Sequence, residues 1–173
     1  MRQHGKGEDT VDMGTETACP VLGLAHVAIK AADMPATIAF YCKVLGLAQV
    51  ERPEFNFPGA WLGIPGGEAL IHLYAGARAR NAGGSHDVGS AAVDHVSLWA
   101  RGYEAQRARF ASFGLPYLSQ PVPGRDLAQL FVYDPNGVMI ELTYRLSEEP
   151  GAVVGDRGGA LGFEPERYRQ FSS

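Results

Sequence analysis

Cysteine is scarce in this 173-residue chain: only Cys19 and Cys42 occur. Two thiols cannot form a disulfide framework, and a reducing compartment suits them better. No histidine neighbours either thiol in sequence, so both read as structural or incidental. Charge of one sign is also thin. The net charge is −4, and no run of Lys and Arg forms the basic stripe that a nucleic-acid partner requires. No apolar run approaches the roughly 18 residues of a membrane span. The polar segment 1–20 lacks the apolar stretch of a secretory signal. Together these absences point to a cytoplasmic protein, away from nucleic acid and membrane.

What is present is a repeat. Segment 1–20 reads as a flexible polar leader and 145–173 as a tail, with a short helix expected over 164–171. Between them lies one domain, 21–144, made of two units, 21–76 and 92–144. In the first unit 23–30 reads as a strand. Asp33 then caps a helix with Pro35 in its first turn, and Ile38, Tyr41, Val44 and Leu45 recur at helical spacing. Gly46 ends that helix. Short strands are expected over 48–52, 60–64 and 69–74, with Pro65-Gly66-Gly67 as a turn. The second unit repeats the order: a strand over 93–100, a helix over 103–113 ending at Gly114, then strands over 117–120, 129–133 and 138–144. Asp134-Pro135-Asn136-Gly137 is its last turn.

The repeat is arithmetically tight. His26 to His95 is 69 positions (95 − 26), and His72 to Glu141 is 69 (141 − 72). At that offset 60–74 overlies 129–143 without a gap. The architecture expected is therefore α+β: two tandem βαβββ units whose eight strands make one curved mixed sheet with helices on its outer face.

Strand alternation then sorts the side chains. Val27 and Ile29, Ile71 and Leu73, Val96 and Leu98, and Ile140 and Leu142 supply aliphatic faces for packing under helices. His26, His72, His95 and Glu141 point the other way, at equivalent places in two copies of one unit. A lone histidine in a strand is usually a hydrogen-bonded core residue, and a lone glutamate can face solvent. Three imidazoles and one carboxylate at matched positions are instead a donor set for one divalent ion, Zn, Ni, Co, Mn or Fe(II). His72 and Glu141 are the candidate catalytic groups, and His72 is either a fourth ligand or a general base. Trp61, Tyr74, Trp99, Arg125 and Phe131 are candidate pocket residues, with Arg125 suited to an anionic group. Glu51 and Glu54 could include a base. His4 and His86 lie in polar, Gly-rich surroundings and receive no role.

The paired units, with His26-Val27-Ala28-Ile29, 41–47, Asp94-His95-Val96-Ser97-Leu98 and 134–142 as local matches, resemble the vicinal-oxygen-chelate superfamily. That group includes glyoxalase I, methylmalonyl-CoA epimerase, fosfomycin-resistance proteins, extradiol dioxygenases and bleomycin-binding proteins. The resemblance implies a cup of strands around a metal that chelates two substrate oxygens. It also implies a homodimer, with the site either inside one chain or shared between two. Departures rank the reactions. Glyoxalase I normally has Glu at the place of His72, and the epimerases Gln. Extradiol dioxygenases match His26, His72, His95 and Glu141, yet their catalytic Tyr falls on Phe131, which cannot donate a hydrogen bond. The expected function is a metal-dependent isomerase, lyase or transferase of glyoxalase-like type, acting on a small oxygenated molecule. An Fe(II) extradiol-type dioxygenase is the first alternative, and a metal-free drug-binding protein the second.

Overall fold

A computed structural model of the chain describes residues 23–156 and 158–172. The expected leader, 1–20, and with it Cys19 and His4, lies outside the described residues.

Among the described residues eight strands form in two sheets of four. In the first unit β1 (Val27–Lys30) leads to α1 (Met34–Ala39), followed by β2 (Ala48–Val50), β3 (Gly59–Gly63) and β4 (Ala69–Tyr74). The second unit repeats this with β5 (His95–Trp99), α2 (Tyr103–Ser112), β6 (Leu118–Pro121), β7 (Leu127–Tyr133) and β8 (Met139–Arg145). The sheet orders match, β1-β4-β3-β2 and β5-β8-β7-β6, with the first strand of each unit parallel to its last. The α+β class and the doubled βαβββ order are as the pattern predicts. The single eight-stranded sheet is not: β1 and β5 are each the outer strand of a separate sheet, and no ladder joins them.

Local chemistry explains the elements. The Asp33 carboxylate accepts from the Ala36 N–H at 2.9 Å, which satisfies one open donor of the helix start, and Pro35 sits where its missing N–H costs nothing. After Ala39 the helix widens into a π-helical turn, Phe40–Val44, instead of running on as α-helix. The wider turn brings Phe40, Tyr41 and Val44 all fully into the core. Gly46 and Gly114 then end the two helices at φ 78° and 63°, the left-handed conformation in which glycine carries no Cβ penalty.

The two units share one apolar core. Phe40, Leu62, Ile71 and Leu73 of the first unit join Tyr103, Phe110, Leu130 and Ile140 of the second. A buried polar clasp links them as well. Tyr41 donates to Asp134 at 3.1 Å, and Asn136 donates to Thr37 and accepts from the Ala32 N–H. The last turn of the second unit thereby grips the first helix. Asp134 also accepts from the backbone N–H groups of Asn136 and Val138, at 2.8 Å each. Burial nevertheless pushes its carboxyl above the usual range.

The expected tail helix is a 3-10 turn, Pro165–Phe171. Its Tyr168 and Phe171 are buried against Phe40, each burial contributing about 2 kcal/mol. Further back, the Glu149 carboxylate accepts from the N–H groups of Gly102 and Tyr103 and so caps α2 from a distance in sequence. Cys42 is free and half-buried, and burial pushes its thiol up. Among the described residues no helix is long and apolar enough to cross a membrane.

Candidate functional site

The four predicted ligands arrive as two pairs. His26, one residue before β1, lays its ring on that of His72 in β4, with centroids 3.7 Å apart and planes 16° from parallel. Trp61 covers the other face of His72 at 4.1 Å. His72 is thus an imidazole sandwiched between two rings. Burial, then the nearby His26 and Arg52, hold it below the usual histidine range, which keeps the ring neutral and its lone pair available. Neither His26 nor His72 has a side-chain hydrogen bond among the described residues. The pair borders a cleft of about 520 Å³ whose walls include Glu51, Trp61 and Glu68. Glu51 is therefore near the site, whereas Glu54 does not line this cleft.

The second pair is His95 and Glu141. His95 Nε2 stands 2.9 Å from Glu141 Oε2. Glu141 is 4% exposed and needs partners at that depth. Ser97 donates to its Oε1 at 2.7 Å, and Thr143 donates to the same atom. Burial alone would raise this carboxyl. Hydrogen bonds from Thr143, Ser97 and Gln129, together with His95, outweigh it and hold Glu141 below the usual carboxylate range. The far nitrogen of His95, Nδ1, lies 2.7 Å from Asp94 Oδ1, and Phe131 meets the ring edge-to-face.

Within one chain the two pairs do not converge. Among the described residues no group of three or more His, Cys, Asp or Glu is placed to hold a metal. The donor chemistry of the four residues suits a divalent ion, but a single chain presents it as two half-sets on two separate sheets.

The other predicted residues scatter. Phe131 stands directly across from Glu141 in the β7–β8 ladder, beside His95. Tyr74 is half-buried and meets Phe57 edge-to-face at 5.4 Å. Trp99 is 67% exposed, with the Arg145 guanidinium 5.0 Å above its ring. Arg125 is exposed in the β6–β7 turn, with no tie to either pair. The gapless overlay at 69 also needs a correction. It sets Leu62 against Phe131, yet a bulge at Leu62/Gly63 slips the ladder by one and places Trp61 opposite His72, as Phe131 is opposite Glu141. Gly63 permits the bulge, since a Cβ there would meet the Glu68 carbonyl oxygen at 2.2 Å.

Sequence reasoning missed the supporting residues Ser97, Thr143 and Asp94. Alternation puts Ser97 on the His95 face and Thr143 on the Glu141 face, so a search for hydroxyls two residues from each ligand finds both.

The model of the Glyoxalase/Bleomycin resistance protein/Dioxygenase superfamily matches residues 23–142. The chain belongs to this superfamily. "Glyoxylase I 4" of Arabidopsis thaliana is 30% identical over 122 residues, 69% of this chain and 68% of the relative. "Lactoylglutathione lyase" of Salmonella typhimurium (strain LT2) is 33% identical over 126 residues, 69% of this chain and 90% of the relative. Among solved structures, a glyoxalase family protein from Bacillus anthracis aligns with a TM-score of 0.59 at 20% identity, covering 74% of this chain and 98% of that one. A genomically encoded fosfomycin resistance protein from Listeria monocytogenes aligns at 0.54 and 15% identity, over 72% and 93%. These structural likenesses concern the fold.

Proposed function

We propose that this superfamily member is a divalent-metal-dependent lyase of glyoxalase type, and that two copies of the chain build each site. One copy supplies His26 and His72; the other supplies His95 and Glu141. The observation that carries the reading is the matched pair of half-sets: equivalent donors, on the open faces of equivalent strands, two per sheet. The outer position of β1 and β5 supports it. An unpaired edge strand is a template for another chain. Ile64 and Val93 are large exposed apolar side chains, Val93 just before β5, which a second copy would cover.

The relatives' names support one substrate class: an adduct between a thiol such as glutathione and a small 2-oxo compound, in equilibrium with its hydroxyacyl thioester. In that rearrangement a proton leaves the carbon bearing sulfur and is returned to the neighbouring carbon. A bound divalent ion would supply Lewis-acid polarisation of the two adjacent oxygens. His72, kept neutral by burial and by its neighbours, is suited to take the proton. Glu141, kept ionised by Ser97 and Thr143, is suited to hold negative charge at the metal position. Trp61 and Phe131 exclude water from one side of each half-set.

Complementation tests the reading. A His26→Ala/His72→Ala chain and a His95→Ala/Glu141→Ala chain are each inactive alone. Co-refolded, random pairing should restore about a quarter of wild-type activity on the hemithioacetal of glutathione with a 2-oxoaldehyde, because half the pairs carry one intact site. No restoration, with mixed dimers demonstrated, would overturn the shared site. Metal content of the native protein separates the alternatives. Iron with oxygen uptake on catechols would favour a dioxygenase, and no uptake of any divalent ion would favour a binding protein.

A further inference from the structure

Beyond the metal donors, the second sheet carries an ordered ladder on its open face. On β5 it runs His95, Ser97, Trp99; on β8 it runs Glu141, Thr143, Arg145. The strands are parallel and in register, with Ser97 beside Glu141 and Trp99 beside Thr143. The face therefore passes from donor atoms, through two hydroxyls, to an indole and a guanidinium. Four residues of strand at about 3.3 Å each separate Glu141 from Arg145 by roughly 13 Å.

The far end of this ladder is a cleft of about 400 Å³ lined by Trp99, Ala100, Arg101, Arg145 and Glu148. Its two cations differ. Arg101 pairs with Glu148 at 3.2 Å. Arg145 has no carboxylate partner among the described residues and lies over the Trp99 ring instead. Stacking on the indole holds the guanidinium flat while leaving its N–H edge free for a carboxylate. The first unit has no such pair at the matched positions, although Arg78 lies over Phe57 and Tyr74 elsewhere in it. The position 69 before Arg145 is Gly76 (145 − 69), and the position 69 before Trp99 is Lys30 (99 − 69), whose charge is met by Asp87 at 3.3 Å.

We propose that Arg145, held against Trp99, is a specificity-determining anion site that selects extended substrates with a free carboxylate roughly 13 Å from the oxygens gathered at His95 and Glu141. This rests on the lyase reading for the position of the reacting end. It assigns to Arg145, rather than to Arg125, the recognition of the acidic end of the thiol adduct. The planar guanidinium binds such a group in bidentate fashion, and the adjacent Trp99 face takes the apolar chain leading to it.

Calorimetric titration with S-methylglutathione and with its diethyl ester tests this, since esterification removes the carboxylate charge. In nickel-loaded wild-type protein the acid should bind at least about tenfold tighter than the ester, as expected of a lost charge-assisted pair. Arg145→Ala should abolish that preference, Arg145→Lys should keep part of it, and Arg125→Ala should leave it intact, each variant being checked for retained circular dichroism and nickel content. Equal affinity of wild type for acid and ester, absence of binding by both, a preference surviving Arg145→Ala, or one lost only in Arg125→Ala would each overturn the proposal. Hemithioacetal turnover by the same samples keeps the two readings apart. Turnover without a carboxylate preference sinks the anion site alone. A preference lost in Arg145→Ala without turnover sinks the lyase reading alone.

Discussion

The two units share strand order, helix ends and an offset of 69 residues, yet their half-sites are prepared differently. In the first unit His72 is stacked between His26 and Trp61, with no hydrogen bond among the described residues to orient its nitrogens. In the second, Glu141 is tied by Ser97 and Thr143 and faces His95, which Asp94 approaches from behind. Stacking restrains a ring in its plane but leaves it free to exchange protons. A hydrogen-bonded carboxylate is held both in place and in its charged state. The comparison suggests a division of labour: the second unit anchors charge, and the first supplies the group able to move a proton.

The sharpest way to break this comparison is at the proposed ligands. Glu141→Gln should lower turnover on the order of 10²–10³-fold and release the metal, whereas His72→Gln should lower turnover by a similar factor with less metal lost. Metal content by mass spectrometry beside steady-state rates checks this. Equal metal loss in both variants would make His72 a plain ligand.

Asp134 holds the two units together, so its removal should be costly. Asp134→Ala strands the Tyr41 hydroxyl and the N–H groups of Asn136 and Val138, and should destabilise the fold by about 3 kcal/mol in urea unfolding. A change within experimental error would mean that the shared apolar core alone joins the units.

Ser97 sharpens the contrast more gently. Ser97→Ala removes one donor to Glu141 and should weaken metal affinity by roughly 10–100-fold while leaving the fold intact. Titration with a competing chelator measures it.

The smallest effect is a pH dependence. Both His72 and Glu141 are held below their ordinary values, so the unfolded chain binds protons more readily at each. Stability is then fully present above the unfolded values. It falls first as pH drops below about 6.5 through His72, and again as pH drops below about 4.5 through Glu141. In metal-free protein, urea midpoints measured from pH 8 to pH 4 should show the upper step in wild type and not in His72→Gln. A midpoint that rises on acidification between pH 7 and pH 5 would contradict the assignment.

Much of this molecule is legible without coordinates. The Asp33 cap, the terminal glycines of both helices, the eight strands and the buried aliphatic faces follow from local rules of period and turn chemistry. The same alternation places His26, His72, His95 and Glu141 on the open faces, because strand geometry is local. The exceptions are instructive. The π-helical turn after Ala39 answers to core packing of Phe40, Tyr41 and Val44, and the bulge at Gly63 changes a cross-strand partner without changing the sequence spacing.

The order of elements and the strand faces taken by His26, His72, His95 and Glu141 were thus determined by the sequence alone, since each depends on residues near it in the chain. Whether those side chains share one sheet, and what orients them, only the tertiary structure decided. The outward β1 and β5 edges, the Ser97 and Thr143 ties to Glu141 and the Arg145–Trp99 stack arise between strands far apart in sequence. Strand period says which face a side chain takes, but sheet assembly decides what it meets there.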